Sequence, residues 1–67
     1  MGNTYKKIEL TGTSDASIEE AVGVALQKAS ESVRNMRWFE VTEVRGAIDG
    51  QKVSQWQVTL KVGFTVE

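Results

Sequence analysis

The sequence contains no cysteine and no histidine. The first absence closes off disulfides; together they remove the thiolate nucleophile, the commonest general base and the usual transition-metal ligands. Ser14, Ser17, Ser30, Ser32 and Ser54 therefore have no histidine to activate them. A basic excess is also missing. Eight Lys and Arg stand against nine Asp and Glu, for a net charge of −1, so there is no cationic field to steer nucleic acid or anionic lipid. No apolar run approaches the roughly 20 residues of a membrane-spanning helix. The opening "MGNTYKKIEL" has no apolar signal-peptide core, and Lys6 stands where a myristoylation signal carries Ser or Thr. A cytoplasmic protein is the expectation. The glycines form no phosphate-cradling pattern, since Gly46 and Gly50 bracket a hairpin and not a strand-to-helix turn. Repeats, linkers and low-complexity tracts are absent too.

What is present is small. Sixty-seven residues make one domain, taken as residues 1–67. A chain of this size buries only about 60% of the surface that it exposes when unfolded. Small folds compensate with disulfides, metal or self-association, and here the first route is closed and the second lacks its best ligands.

The pattern along the chain reads strand, helix, strand, strand. Thr4–Thr11 alternates loosely, with Ile8 and Leu10 inward, and ends at Gly12; "GTSDAS" follows as a polar turn. Ser17 precedes Glu20 by three residues, the spacing of a reciprocal capping box, and Glu19 and Glu20 suit the positive end of a helix. Ile18, Ala21, Val22, Ala25, Leu26, Ala29 and Val33 then form a helical stripe of mostly small residues, with Arg34 and Arg37 bracketing its end. Gly23 costs such a helix about 1 kcal/mol relative to alanine. Trp38–Ile48 holds Phe39, Val41, Val44 and Ile48. Asp49–Gly50 is a favoured pair for a tight hairpin turn. From Val53 to Val66 the alternation is clean: Trp56, Val58, Leu60, Val62, Phe64 and Val66 point one way, Gln55, Gln57, Thr59, Lys61, Gly63 and Thr65 the other. Trp56 belongs to the core on this reading.

Lengths carry a consequence. A helix of about 17 residues is ~25 Å long, whereas a strand of about 14 residues is ~46 Å. One helix cannot cover the apolar stripe that ends in Val62, Phe64 and Val66. The uncovered end and the sheet edges call for another subunit, so a homo-oligomer is expected.

The remaining chemistry is that of a binding site. Trp38 offers a π-face for a planar ligand. Glu43 and Arg45 lie on the same hairpin, and across from them Gln57 carries an amide that donates and accepts. The arginine fork suits phosphate or carboxylate. Each residue also has a plainer role: Trp38 as a structural residue, Glu43 and Arg45 as a solvated ion pair, Gln57 as an outward residue of the sheet. Catalysis would have to rest on carboxylates and lysines, so the chain is not expected to be an enzyme. The alternatives are a small enzyme subunit with Glu40 or Glu43 as base and Arg45 as anion clamp, or a purely structural assembly module. A nucleic-acid module fits the charge balance worst.

The chain as a whole resembles the dodecin family. The resemblance is carried by "YKKIELTGTS" (residues 5–14), "SIEEAVGVALQKAS" (17–30), "WFEVTEVRG" (38–46) and "WQVTLKVGF" (56–64), in the same order and with matching connections. It implies an α+β fold, β-α-β-β, with a three-stranded antiparallel sheet partly wrapped around one helix, and twelve copies in a hollow sphere. It further implies flavin storage or buffering, with FMN or riboflavin bound in pairs at two-fold axes between tryptophans of neighbouring subunits. Trp38 corresponds to the stacking residue and Gln57 to the glutamine at the pyrimidine edge. Arg45 corresponds to an arginine near the FMN phosphate, and Glu43 to an acidic residue near the ribityl chain. Quenching of the flavin by the indole and photoprotection are implied as well. Thr65 is a departure, because many bacterial members carry an arginine there as a second phosphate contact, and its loss weakens the case for FMN over riboflavin. Some members also bind coenzyme A near three-fold axes; no residue pattern in this chain points to it.

Overall fold

Ser14, not Ser17 alone, organises the start of the helix. In the computed structural model, which describes residues 2–66, the Ser17 hydroxyl accepts from the Glu20 amide at 3.0 Å, as a helix cap should. The return half of the expected capping box is not made. The Glu20 carboxylate instead accepts from the Ser14 hydroxyl at 2.8 Å. The same Ser14 oxygen accepts from the amides of Ala16 (2.9 Å) and Ser17 (3.3 Å). Ser14 is buried, and these bonds meet the requirement that a buried hydroxyl be satisfied.

The elements are β1 (Tyr5–Ser14), α1 (Ile18–Ala29), β2 (Met36–Asp49) and β3 (Lys52–Thr65). They form one antiparallel sheet in the order β1-β3-β2, the expected α+β arrangement with β3 central. The single-domain reading covers residues 1–67, of which Met1 and Glu67 lie outside the described residues.

Several boundaries differ from the sequence expectation, including that of β2, which starts at Met36 and not at Trp38. β1 runs on through Gly12 to Ser14 and does not end at the glycine. The reason is packing: a Cβ at Gly12 would overlap the Ala21 carbonyl oxygen, so the glycine lets α1 lie directly on the strand. The helix has 12 residues, not about 17. After Ala29 the chain closes with i→i−3 bonds from Glu31 to Lys28 and from Ser32 to Ala29, the tightening common at helix ends. The Ser30 hydroxyl meanwhile donates to the Gln27 carbonyl at 2.6 Å. Val33 thus lies beyond the helix, and the cation in its last turn is Lys28, with Arg37 already in β2. Asn35 takes the left-handed conformation, φ 63°, that redirects the chain into β2; asparagine tolerates it better than most residues. β3 spans Lys52–Thr65, so Val66 falls outside it.

The core is a thin layer. Ala21, Val22 and Ala25 of α1 press on Val58, Leu60 and Val62 of β3, with Ile8, Leu10, Leu26 and Met36 at the margin. Trp56, expected in the core, is only half-buried because the helix ends short of it. Twelve residues of helix reach about 18 Å, while the chain is 53 Å long. The hairpin therefore projects past its cover.

The cover is also narrow. α1 lies over β1 and β3, and the helix-side residues of β2, Phe39, Val41 and Val44, remain 42–47% exposed. These three positions are spaced 39, 41, 44, which no strict alternation allows. The register explains it: Val41 pairs with Leu60 and Glu43 with Thr59, so Thr42 is the extra residue of a β-bulge. A second bulge falls at Arg37, between the Met36–Phe64 and Trp38–Gly63 pairs. It turns Trp38 to the face opposite Met36 and the helix.

Candidate functional site

The face of the sheet away from the helix is polar except at one end. Thr59, Lys61 and Gly63 on β3 lie between Thr11, Glu9 and Lys7 on β1 and Glu43, Glu40 and Trp38 on β2. Across it run a 3.1 Å ion pair from Lys7 to Glu40 and a 2.8 Å hydrogen bond between the hydroxyls of Thr11 and Thr59. Both are exposed contacts, and the ion pair is worth roughly 0–1 kcal/mol.

At the apolar end, Trp38 lies on the backbone of Gly63. A Cβ there would fall among Cζ2, Cε2 and Cη2 of the indole at nearly equal separations, which places the ring face-on over the glycine. The edge contact of Tyr5, with centroids 4.9 Å apart and planes at 70°, holds it from the side. The residue is still 39% exposed. An indole fixed flat in this way is an aromatic shelf.

Gln57 and Arg45 are paired across the ladder at the other end. Arg45 Nε donates to Gln57 Oε1 at 2.6 Å, and Gln57 Nε2 donates to Gln55 Oε1 at 2.9 Å. Gln55 was not singled out in the sequence, although its place two residues before Gln57 puts it on the same face. Arg45 bonds to Gln57 and not to Glu43, so the solvated Glu43–Arg45 pair does not form among the described residues. Glu43 is exposed and stands opposite Thr59, between the two ends.

The structure thus brings Arg45 and Gln57 together and keeps Trp38 away from both. Their β3 partners, Gly63 and Gln57, are six positions apart, about 20 Å of extended chain. A groove of about 640 Å³ between α1 and β1, lined by Leu10, Gly12, Gly23, Val24 and Gln27 among others, contains none of the candidate residues. Among the described residues no group of three or more His, Cys, Asp or Glu side chains gathers to hold a metal.

Comparison with known proteins decides the family. Residues 4–67 match the family model described as Dodecin. The chain belongs to the dodecin family. Its relatives include the dodecin of Thermus thermophilus, 48% identical over 67 residues, covering 100% of this chain and 97% of that protein. The calcium dodecin of Mycobacterium tuberculosis is 36% identical over 62 residues, with 92% and 87% covered. A crystal structure from T. thermophilus superposes with a TM-score of 0.94 at 47% identity, covering 98% of this chain and 97% of that one. The dodecin of Streptomyces coelicolor gives 0.93 at 46% identity, over 97% and 93% of the two chains. Dodecins are oligomeric and bind small ligands. The expected topology and the family resemblance are both borne out.

Proposed function

We propose that this dodecin binds flavins, FMN, riboflavin or a related isoalloxazine, and stores or buffers them within a cytoplasmic homododecamer. The observation that carries the reading is the indole of Trp38 held flat on Gly63, half-open to solvent, on a face that is otherwise polar. Such a shelf suits a planar heterocycle, because stacking needs area and a fixed ring and no reactive group.

The 20 Å between Trp38 and Gln57 supports a site shared between copies. A two-fold axis parallel to the polar face, running across the strands above Glu43 and Lys61, would carry the Arg45–Gln57 end of one copy over the Trp38 end of the next. Such a contact is self-complementary, as two-fold interfaces are. Arg45 fixes the Gln57 carbonyl and leaves amide hydrogen available to a ring edge. Its own remaining N–H donors are free for an anion. Glu43, without a described partner, stands near the proposed axis and reaches hydroxyls of a polyol chain from either copy. The exposed Phe39, Val41 and Val44 supply apolar surface for packing between subunits. A bound flavin in contact with indole is quenched by rapid electron transfer and return, so storage and photoprotection follow from one contact. Coenzyme A, a ligand of some dodecins, has no residue in this chain that argues for it.

The test is a fluorescence titration of riboflavin and of FMN with the purified protein. Emission is expected to fall to a saturating, stoichiometric end point, and a Trp38→Ala variant is expected to bind more weakly and to quench less. Unchanged affinity and quenching in that variant would refute the stacking site.

A further inference from the structure

Arg37 carries an inference that goes beyond the flavin reading and rests on it. It is the extra residue of the bulge between Met36 and Trp38 in β2, adjacent to Trp38. Its Nε donates to Thr65 Oγ1 at 3.0 Å. Thr65 shares a face of β3 with Gly63, on which the indole lies, and it stands opposite Tyr5, whose ring meets that indole. The hydrogen bond therefore brings the guanidinium round to the edge of the aromatic shelf. Arg37 is exposed and forms no ion pair among the described residues, where the ion pairs are Lys7–Glu40 and Lys28–Glu31. With Nε committed to the threonine, the terminal nitrogens keep their donors in a fork fit for a phosphate. Arg45, at the far end of the same face, cannot share an anion with it within one copy.

We propose that Arg37 is the phosphate-recognising residue beside Trp38, so that the site prefers a flavin bearing a terminal phosphate to one without. Thr65 is its positioning residue.

The experiment titrates FMN and riboflavin in parallel into the wild-type assembly and into Arg37→Gln, Arg37→Lys and Thr65→Val, each first shown to have the wild-type mass. Loss of a charge-assisted hydrogen bond predicts roughly ten- to hundredfold weaker FMN binding in Arg37→Gln. Riboflavin affinity should stay within about twofold. Lysine should restore part of the FMN affinity, since it keeps the charge and loses the fork. Thr65→Val should weaken FMN less than Arg37→Gln does. Added salt should weaken FMN binding in the wild type more than in Arg37→Gln. An unchanged FMN-to-riboflavin ratio in Arg37→Gln overturns the assignment and leaves the stacking site standing, as does an equal loss of both ligands. If the wild type binds neither flavin, both proposals fall.

Discussion

On the helix side of the sheet, β3 and β2 carry similar residues at matched positions and meet different fates. Val58, Leu60 and Val62 are fully buried beneath α1. Their cross-strand partners Val44, Val41 and Phe39 are nearly half exposed. Hydropathy does not distinguish the two sets; the width of one short helix does. Small side chains at Ala21 and Ala25, with Gly12 beneath them, bring α1 close to β1 and β3 and leave nothing to reach β2. The difference shows how a chain of 67 residues holds its own fold together while leaving an apolar flank for other copies.

The comparison breaks most sharply by substitution at one register. Leu60→Ala removes a fully buried side chain and should cost about 2–5 kcal/mol in chemical denaturation. Val41→Ala, its partner across the ladder, should alter the fold of a dissociated chain little and weaken assembly instead, read as a concentration-dependent fall in mass. Equal effects on the two measurements would mean that α1 does not set the boundary.

A smaller effect is expected on the opposite face. Gly63→Val puts side-chain atoms where the Trp38 ring lies, a steric conflict worth roughly 1–3 kcal/mol. Displacement of the ring should appear as a changed tryptophan emission spectrum and as lost flavin quenching. Retained quenching would show that the shelf does not depend on the glycine.

Gly23 offers a finer probe. It is helical and exposed, and a Cβ there would meet nothing within 4 Å beyond its own helix. In a single chain Gly23→Ala should stabilise by about 1 kcal/mol through helix propensity. A loss of thermal stability would show that another copy fills the groove between α1 and β1. Least consequential is Glu40→Gln, which removes an exposed ion pair and should change unfolding free energy by less than about 1 kcal/mol. The small change should vanish at high salt.

Much of the fold was legible because its periodicities are clean. The alternation from Trp56 to Phe64 is a strand pattern, and Ser17 with the small-residue stripe after it marks a helix start. Elements whose limits depend on tertiary contact were less legible. Gly12 looks like a strand end until α1 is packed against it, and the pattern through Val33 does not show that the tight turn after Ala29 closes the helix. For the site, the sequence placed Gln57, Arg45 and Glu43 on the polar face and singled out Trp38. The irregular spacing of Phe39, Val41 and Val44 carried the bulge at Thr42 without announcing it. The bulge at Arg37, which sends Trp38 away from the helix, leaves no mark in composition or alternation. The 20 Å that separates Trp38 from Gln57 follows from register alone.

The most direct test is the native mass of the purified protein, recorded by non-denaturing mass spectrometry after equilibration with FMN. A closed assembly, at twelve times the 7.4 kDa chain plus bound flavin, is the result that the unfinished flank and the divided site predict. A folded 7.4 kDa species, alone or with flavin bound to a single chain, would contradict it.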